Sequence, residues 1–174
     1  MPTLTAHPTL QKVTPKIFAD SSRCDGGMSF RFYLNSIKHL LSEPINPAVY
    51  LFPKDRKHDL WKRTCFEVFL AQPNQEKYIE INANAEGAWN IYFFDSYREP
   101  QPPQEFHGAH VSRIECGADF FELEFNWPQI PNKLKLSLCA VILTKEGPLY
   151  YSTAHLGTKP DFHLRESFTL RSEL

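Results

Sequence analysis

Trp61-Lys62-Arg63-Thr64-Cys65-Phe66-Glu67-Val68-Phe69-Leu70 is the stretch that decides the fold. Phe66, Val68 and Leu70 fall at every second position, and Arg63, Cys65 and Glu67 fill the places between them. Side chains alternate sides along an extended chain, so this period predicts a β-strand over 61–70 with one apolar face. The next segment, 77–84, repeats the pattern with Ile79, Ile81 and Ala83 against Tyr78, Glu80, Asn82 and Asn84. Ala85-Glu86-Gly87 then predicts a tight hairpin turn. A third strand follows over 89–94, with Trp89, Ile91 and Phe93 opposite Asn90, Tyr92 and Phe94.

Outward from this centre the same alternation recurs. Over 27–35, Phe30, Phe32 and Leu34 oppose Arg31, Tyr33 and Asn35. Further strands are predicted over 110–116, 120–126, 133–144, 149–152 and 167–170. In 133–144, Leu134, Leu136, Leu138, Ala140 and Ile142 share one face. Helical periodicity is weak, with a single turn expected over 35–41, before Pro44. Many short strands without intervening helices predict an all-β, antiparallel β-sandwich, immunoglobulin-like or jelly-roll-like, with residues 1–174 as one domain.

Composition narrows the function classes. The 174 residues carry 19 Lys plus Arg against 20 Asp plus Glu, a net charge of −1, which gives no general attraction to nucleic acid or to an anionic membrane. No apolar run is long enough to span a bilayer as a helix. With 14 Pro but only 7 Gly, there is neither a GxGxxG nor a GxxxxGK[ST] loop to cradle phosphate. Cys24, Cys65, Cys116 and Cys139 are too widely spaced for a zinc motif. Residues 1–20 lack the basic start and apolar centre of a secretory signal, so a cytoplasmic protein with free thiols is expected.

The second faces of the strands are the informative feature. A solvated sheet face usually shows Lys, Glu, Thr and Ser. Here the faces opposite the core would show Arg31, Tyr33, Arg63, Glu67, Tyr78, Glu80, Asn82, Asn90 and Tyr92. Carboxylates, amides and guanidinium groups suit hydroxyls, and aromatic rings stack on the apolar face of a sugar. Cross-strand salt bridges and aromatic pairs serving stability alone are the other reading of the same set.

Two segments carry a family resemblance. The first is LWKRTCFEVFL at 60–70, continued by Tyr78-Ile79-Glu80-Ile81-Asn82, Gly87-Ala88-Trp89, Tyr92 and Tyr97-Arg98. The second is Tyr151 to His155, then Lys159-Pro160-Asp161-Phe162-His163 and Ser167-Phe168-Thr169-Leu170. Together they resemble the DOMON-like bacterial proteins related to type 9 carbohydrate-binding modules. The resemblance implies a β-sandwich with any ligand on the concave sheet or its rim. It matches Trp61, Glu67, Glu80, Asn82, Trp89 and Arg98 to a site that holds sugar between Trp rings with acidic, amide and Arg groups. The wider DOMON group binds sugars or haem. Such sugar-binding modules are usually secreted parts of larger enzymes, and here this chain departs from them.

Each candidate has two readings. Trp61 is either a stacking platform or a plug at the end of the sandwich, and Trp89 shares its face with core residues. Glu67 and Glu80 could divide acid and base roles, chelate Ca²⁺, or pair with Arg63 and Arg98. Asp161 and His163 flank Phe162 and, with His155, suggest either an orienting pair or metal site, or a turn cap and a backbone contact. Cys65 has no His at i±2 to activate it and reads as a buried thiol. Haem is not expected, because Met1 and Met28 are the only methionines and no His is placed to partner them. His107 and His110 are expected to be exposed in the loop after the proline cluster.

The sequence therefore predicts a non-catalytic domain binding a carbohydrate or related polyol. The expected ligand residues are Trp61, Glu67, Tyr78, Glu80, Asn82, Trp89, Arg98, Asp161 and His163. No cofactor, nucleic acid or membrane is expected as a partner, and the oligomeric state is left open. The alternatives are an enzyme acting on a sugar derivative through Glu67, Glu80 or His163, and a protein-interaction sandwich using aromatics at 94–97 and the loop at 100–103.

Overall fold

A computed structural model describes residues 1–8, 14–102 and 108–173. His107 and Pro103 lie outside the described residues. The chain forms β1 (Thr3–Ala6), β2 (Ile17–Cys24), β3 (Gly27–Tyr33), β4 (Ala48–Leu51), β5 (Cys65–Ala71), β6 (Tyr78–Ala83) and β7 (Trp89–Ser96). These are followed by β8 (Glu99–Pro100), β9 (His110–Cys116), β10 (Phe120–Asn126), β11 (Lys133–Thr144), β12 (Gly147–Ser152) and β13 (Leu170–Glu173). Short 3-10 turns occur at Lys38–Leu40, Leu60–Lys62 and Arg165–Ser167. Among the described residues, no helix is long and apolar enough to cross a membrane.

All strand pairings are antiparallel, and they run in one hydrogen-bonded order, β4-β9-β10-β3-β2-β1-β12-β11-β5-β6-β7-β8, with β13 beside the start of β11. The sheet folds over on itself at β1. Thr3 and Leu4 pair with β2, whereas Thr5 and Ala6 pair with β12. A strand that changes partners in this way makes the corner of a sandwich. One leaf (A) holds β2, β3, β4, β9 and β10, and the other (B) holds β5 to β8 and β11 to β13.

The core between the leaves follows the predicted apolar faces. Phe30, Phe32, Ile114, Phe121 and Leu123 of leaf A meet Phe66, Val68, Ile81, Leu136 and Leu138 of leaf B. Phe66 stacks on Phe121 with centroids 4.1 Å apart and planes 13° apart, and lies 5.1 Å from Phe32. The turn after β6 is closed by Asn84, whose Oδ1 accepts the Glu86 and Ala88 N–H groups. Gly87 there has φ +81°, and a Cβ would come within 2.6 Å of the Tyr50 ring, so only glycine fits.

Several expectations need correction. The central strand starts at Cys65 and excludes Trp61, because Asp59 takes a left-handed conformation (φ +61°) and turns Leu60–Lys62 into a 3-10 loop. The last strand is Leu170–Glu173 instead of 167–170, because the Ser167 hydroxyl donates to the Leu164 carbonyl at 2.6 Å and holds that segment in a turn. Strands β1, β2, β4 and β8 were not expected. The expected solvated face is also absent from β5 and β6, in which every residue is buried. Residues 153–169 cross the outside of that leaf and lay Phe162 and Phe168 against Phe69, Tyr78 and Phe94. Phe94 is therefore not an exposed aromatic, although Tyr97 is.

Phe66 joins the two leaves. Phe66→Ala is expected to lower unfolding stability by about 3–5 kcal/mol, the usual cost of removing a buried aromatic ring. Urea unfolding monitored by tryptophan fluorescence measures this, and a loss under about 1 kcal/mol would contradict the packing described.

Candidate functional site

The cover over leaf B is incomplete. Between residues 153–169, the Leu60–Lys62 turn and the outer faces of β5, β6 and β7 lies an open pocket of about 670 Å³. Glu67, Glu80 and Asn82 line it, together with Trp61, His58, Tyr92, Phe94, Tyr150, Phe162, Arg98, Lys159 and His163. Strand register explains the floor. Glu67 of β5 lies opposite Asn82 of β6, and Glu80 stands two residues before Asn82 on the same face. Opposed residues on paired strands have Cβ atoms about 4.5–5.5 Å apart, so the three polar ends crowd into one patch.

Hydrogen bonding at the floor is unbalanced. Asn82 Nδ2 donates to Glu80 Oε1 at 2.7 Å, which leaves Asn82 Oδ1 without a partner, and Glu67 Oε1 has none either. Glu67 and Asn82 are only 4% and 1% exposed. A buried carboxylate without a countercharge is costly, so it holds its proton. Burial first, and the neighbouring Glu80 second, push the Glu67 carboxyl well above the ordinary range. Burial pushes Glu80 up to about 7, against the opposing hydrogen bond from Asn82 and the charge of Arg98.

His163 sits above the acids. Its Nδ1 is 2.8 Å from the Tyr78 hydroxyl, and the Arg98 backbone N–H donates to that same hydroxyl at 3.1 Å. The ring's other nitrogen, Nε2, lies on the side of Glu80. That nitrogen is 3.8 Å from Glu80 Oε2. Burial, then the charge of Arg98, lower the His163 pKa to about 4, outweighing Asp161. Between about pH 4 and pH 7 both partners are therefore uncharged, so the contact is not an ion pair.

Arg98 reaches the rim from the turn between β7 and β8, with φ +55°. Its NH2 nitrogen donates to Asp161 Oδ1 at 3.0 Å, and Tyr97 donates to the other Asp161 oxygen at 2.5 Å. Asp161 Oδ1 also accepts the His163 backbone N–H at 3.0 Å. Burial opposes ionisation of Asp161, but these bonds outweigh it and hold the carboxyl below its usual range. On the opposite wall, Asn90 Nδ2 donates to the Tyr92 hydroxyl at 3.1 Å, and Trp61 stands 48% exposed at the edge.

The sequence-predicted residues divide accordingly. Trp61, Glu67, Glu80, Asn82, Arg98 and His163 line the pocket. Tyr78 and Asp161 hold His163 and Arg98 from behind. Trp89 lies on the other face, in the core between the leaves, with its indole N–H donated to the Pro53 carbonyl at 2.6 Å. Its alternation with Ile91 already pointed there. His155 is also elsewhere, edge-on to His7 with centroids 4.9 Å apart. Arg31 bonds Glu122 on leaf A, and Arg63 bonds Glu43 and Glu86, so neither reaches the acids at the floor. Cys65 is buried with Leu60 and Ala88. The pocket residues not singled out from sequence, such as His58, Tyr150 and Lys159, come from loops and from a strand far along the chain. The alternation of β12 was a usable signal for Tyr150 alone. Among the described residues, no group of three or more His, Cys, Asp and Glu could hold a metal ion.

The raised Glu80 pKa has a definite linkage to stability. The folded state favours its protonated form, so the contribution is full below about 4.5 and is lost as pH rises through about 7. His163 runs the other way, contributing fully above 6.5 and losing that contribution as pH falls through about 4. The melting temperature of the wild type relative to Glu80→Gln is expected to fall as pH rises from about 4.5 to about 7. Calorimetric scans of both proteins across that window measure the difference, and a flat difference would show that Glu80 titrates normally.

No protein-family model matches the chain, and no curated protein matches it in sequence. Among solved structures, it is similar to one described as a "putative carbohydrate-binding protein" from Bacteroides uniformis ATCC 8492. The match covers 91% of this chain and 78% of that one, with a TM-score of 0.59 and 12% identity. At that identity, the two chains share a fold.

Proposed function

We propose that the pocket outside leaf B binds a carbohydrate or a related polyol without chemical conversion. The observation that carries this reading is a floor of buried hydrogen-bond acceptors beneath aromatic walls. Glu67 Oε1 and Asn82 Oδ1 lack partners, and ligand hydroxyls would satisfy them. Trp61, Tyr92 and Tyr150 offer rings for the apolar face of a sugar. A pocket of about 670 Å³ is of the size that small ligands occupy. The shared fold of the Bacteroides protein, itself described as a "putative carbohydrate-binding protein", points the same way. So does the resemblance to type 9 modules, since Trp61, Glu67, Glu80, Asn82 and Arg98 of the matched set converge on this pocket.

One observation favours a second reading. Glu80, with its pKa near 7 beside Glu67, can give or take a proton at neutral pH. On that reading the pair acts as acid and base in the hydrolysis of a sugar derivative, and a bell-shaped pH–rate profile would identify it.

A thermal-shift screen against mono- and oligosaccharides, with and without Ca²⁺, tests the binding reading. A ligand at about 100 times its Kd stabilises by about 2.7 kcal/mol. Trp61→Ala, Asn82→Ala and Arg98→Ala are expected to abolish or weaken the shift. Trp61 and Arg98 are exposed enough that their removal leaves the fold intact. Absence of a shift across the whole panel would overturn the proposal.

A further inference from the structure

We infer that, within this class of ligands, the pocket selects those carrying a protonated amine, and that Glu67, Glu80 and Asn82 together hold the ammonium group. The inference rests on the sugar-binding reading and concerns what end of the ligand reaches the floor.

It follows from an inventory of donors and acceptors. With both carboxyls ionised, the one side-chain donor among the three floor residues, Asn82 Nδ2, is spent on Glu80 Oε1. In that state Glu67 Oε1, Asn82 Oδ1 and Glu80 Oε2 offer acceptors only, and His163 Nε2 comes no closer than 3.8 Å to the last. The residues bearing the two unpartnered oxygens are more than nine-tenths buried and directly opposed across β5 and β6. A sugar hydroxyl brings one proton to such a patch, whereas an ammonium brings three from a single centre. The ammonium also brings the charge the patch lacks. Arg98 directs its NH2 nitrogen to Asp161 and its Nε to Tyr97. His163 faces the floor in its neutral form. Both acids hold their protons for want of a cation, and an arriving ammonium would take the place of those protons. The walls suit a cation as well, because the faces of Trp61 and Tyr92 attract positive charge. At the mouth, Arg98 and Lys159 carry the opposite preference, so an anionic sugar is the competing ligand that the test has to include.

Calorimetric titration of the full chain near neutral pH separates these cases. The probes are glucosamine, galactosamine and mannosamine, their parent hexoses, their N-acetyl forms, glucuronate, and the acyclic amino alcohol serinol. At least one hexosamine is expected to bind about tenfold or more tightly than its parent hexose, about 1.4 kcal/mol, and N-acetylation to erase the gain. Glu67→Gln keeps the shape of the side chain and is expected to bring the hexosamine-to-hexose ratio close to one. Its melting curve checks the fold, and Glu80→Gln serves if it does not fold. A hexose or glucuronate that binds as tightly as the hexosamines overturns the amine inference and leaves the sugar reading standing. Binding of serinol alone keeps the amine inference and removes the sugar reading. If nothing binds, both fall.

Discussion

Leaf B carries buried apolar side chains on both faces, and most of the molecule is arranged around covering it twice. The inner face meets leaf A through Phe66 and its neighbours. The outer face carries Phe69, Tyr78 and Phe94, which would leave several hundred Å² of ring surface in water at about 25 cal/mol per Å² if nothing covered them. Residues 153–169 supply the cover, with Phe162 and Phe168 as the contact points. The same segment carries Lys159, Asp161 and His163, so covering the sheet also builds one wall of the pocket. The weakened acidity of Glu67 and Glu80 has the same origin, since burial is its largest cause in both.

Where a strand has one apolar face of three or more residues, the sequence revealed it. That holds for β5, β6, β7, β10 and β11, and it is why the faces of Glu67, Glu80 and Asn82 were assigned correctly. Strand β2 was hidden because only Ile17 and Ala19 are buried before the polar run Asp20-Ser21-Ser22-Arg23. Strands β1, β4 and β8 are two to four residues long and owe their state to distant partners. Local pattern also could not reveal that Phe162 would lie on Phe69, because the contact joins segments far apart in the chain. The second core therefore went unseen, and the outer face of leaf B read as solvated.

The candidate site was legible where alternation decides and illegible where turns decide. The family motif makes Trp89 a ligand residue, whereas its spacing with Ile91 places it inward, where the structure has it. Trp61 reaches the pocket only because Asp59 adopts a left-handed conformation, which no local pattern announced. At Asp161 the cap, on the backbone N–H of His163, is what the structure shows, with a contact to Arg98 beside it.

The turn that presents Arg98 has an evolutionary corollary. Arginine at φ +55° occupies backbone space that glycine or asparagine fills at less cost. A chain under selection for stability alone would drift toward those residues at this position, keeping the hairpin and the backbone N–H that holds Tyr78. A guanidinium there offsets the backbone cost only through what its side chain reaches, Asp161 and the Tyr97 hydroxyl. Position 98 is thus a place where a chain that keeps the contact with Asp161 and a chain that gives it up would differ, with arginine in the first and the turn relaxed to glycine in the second.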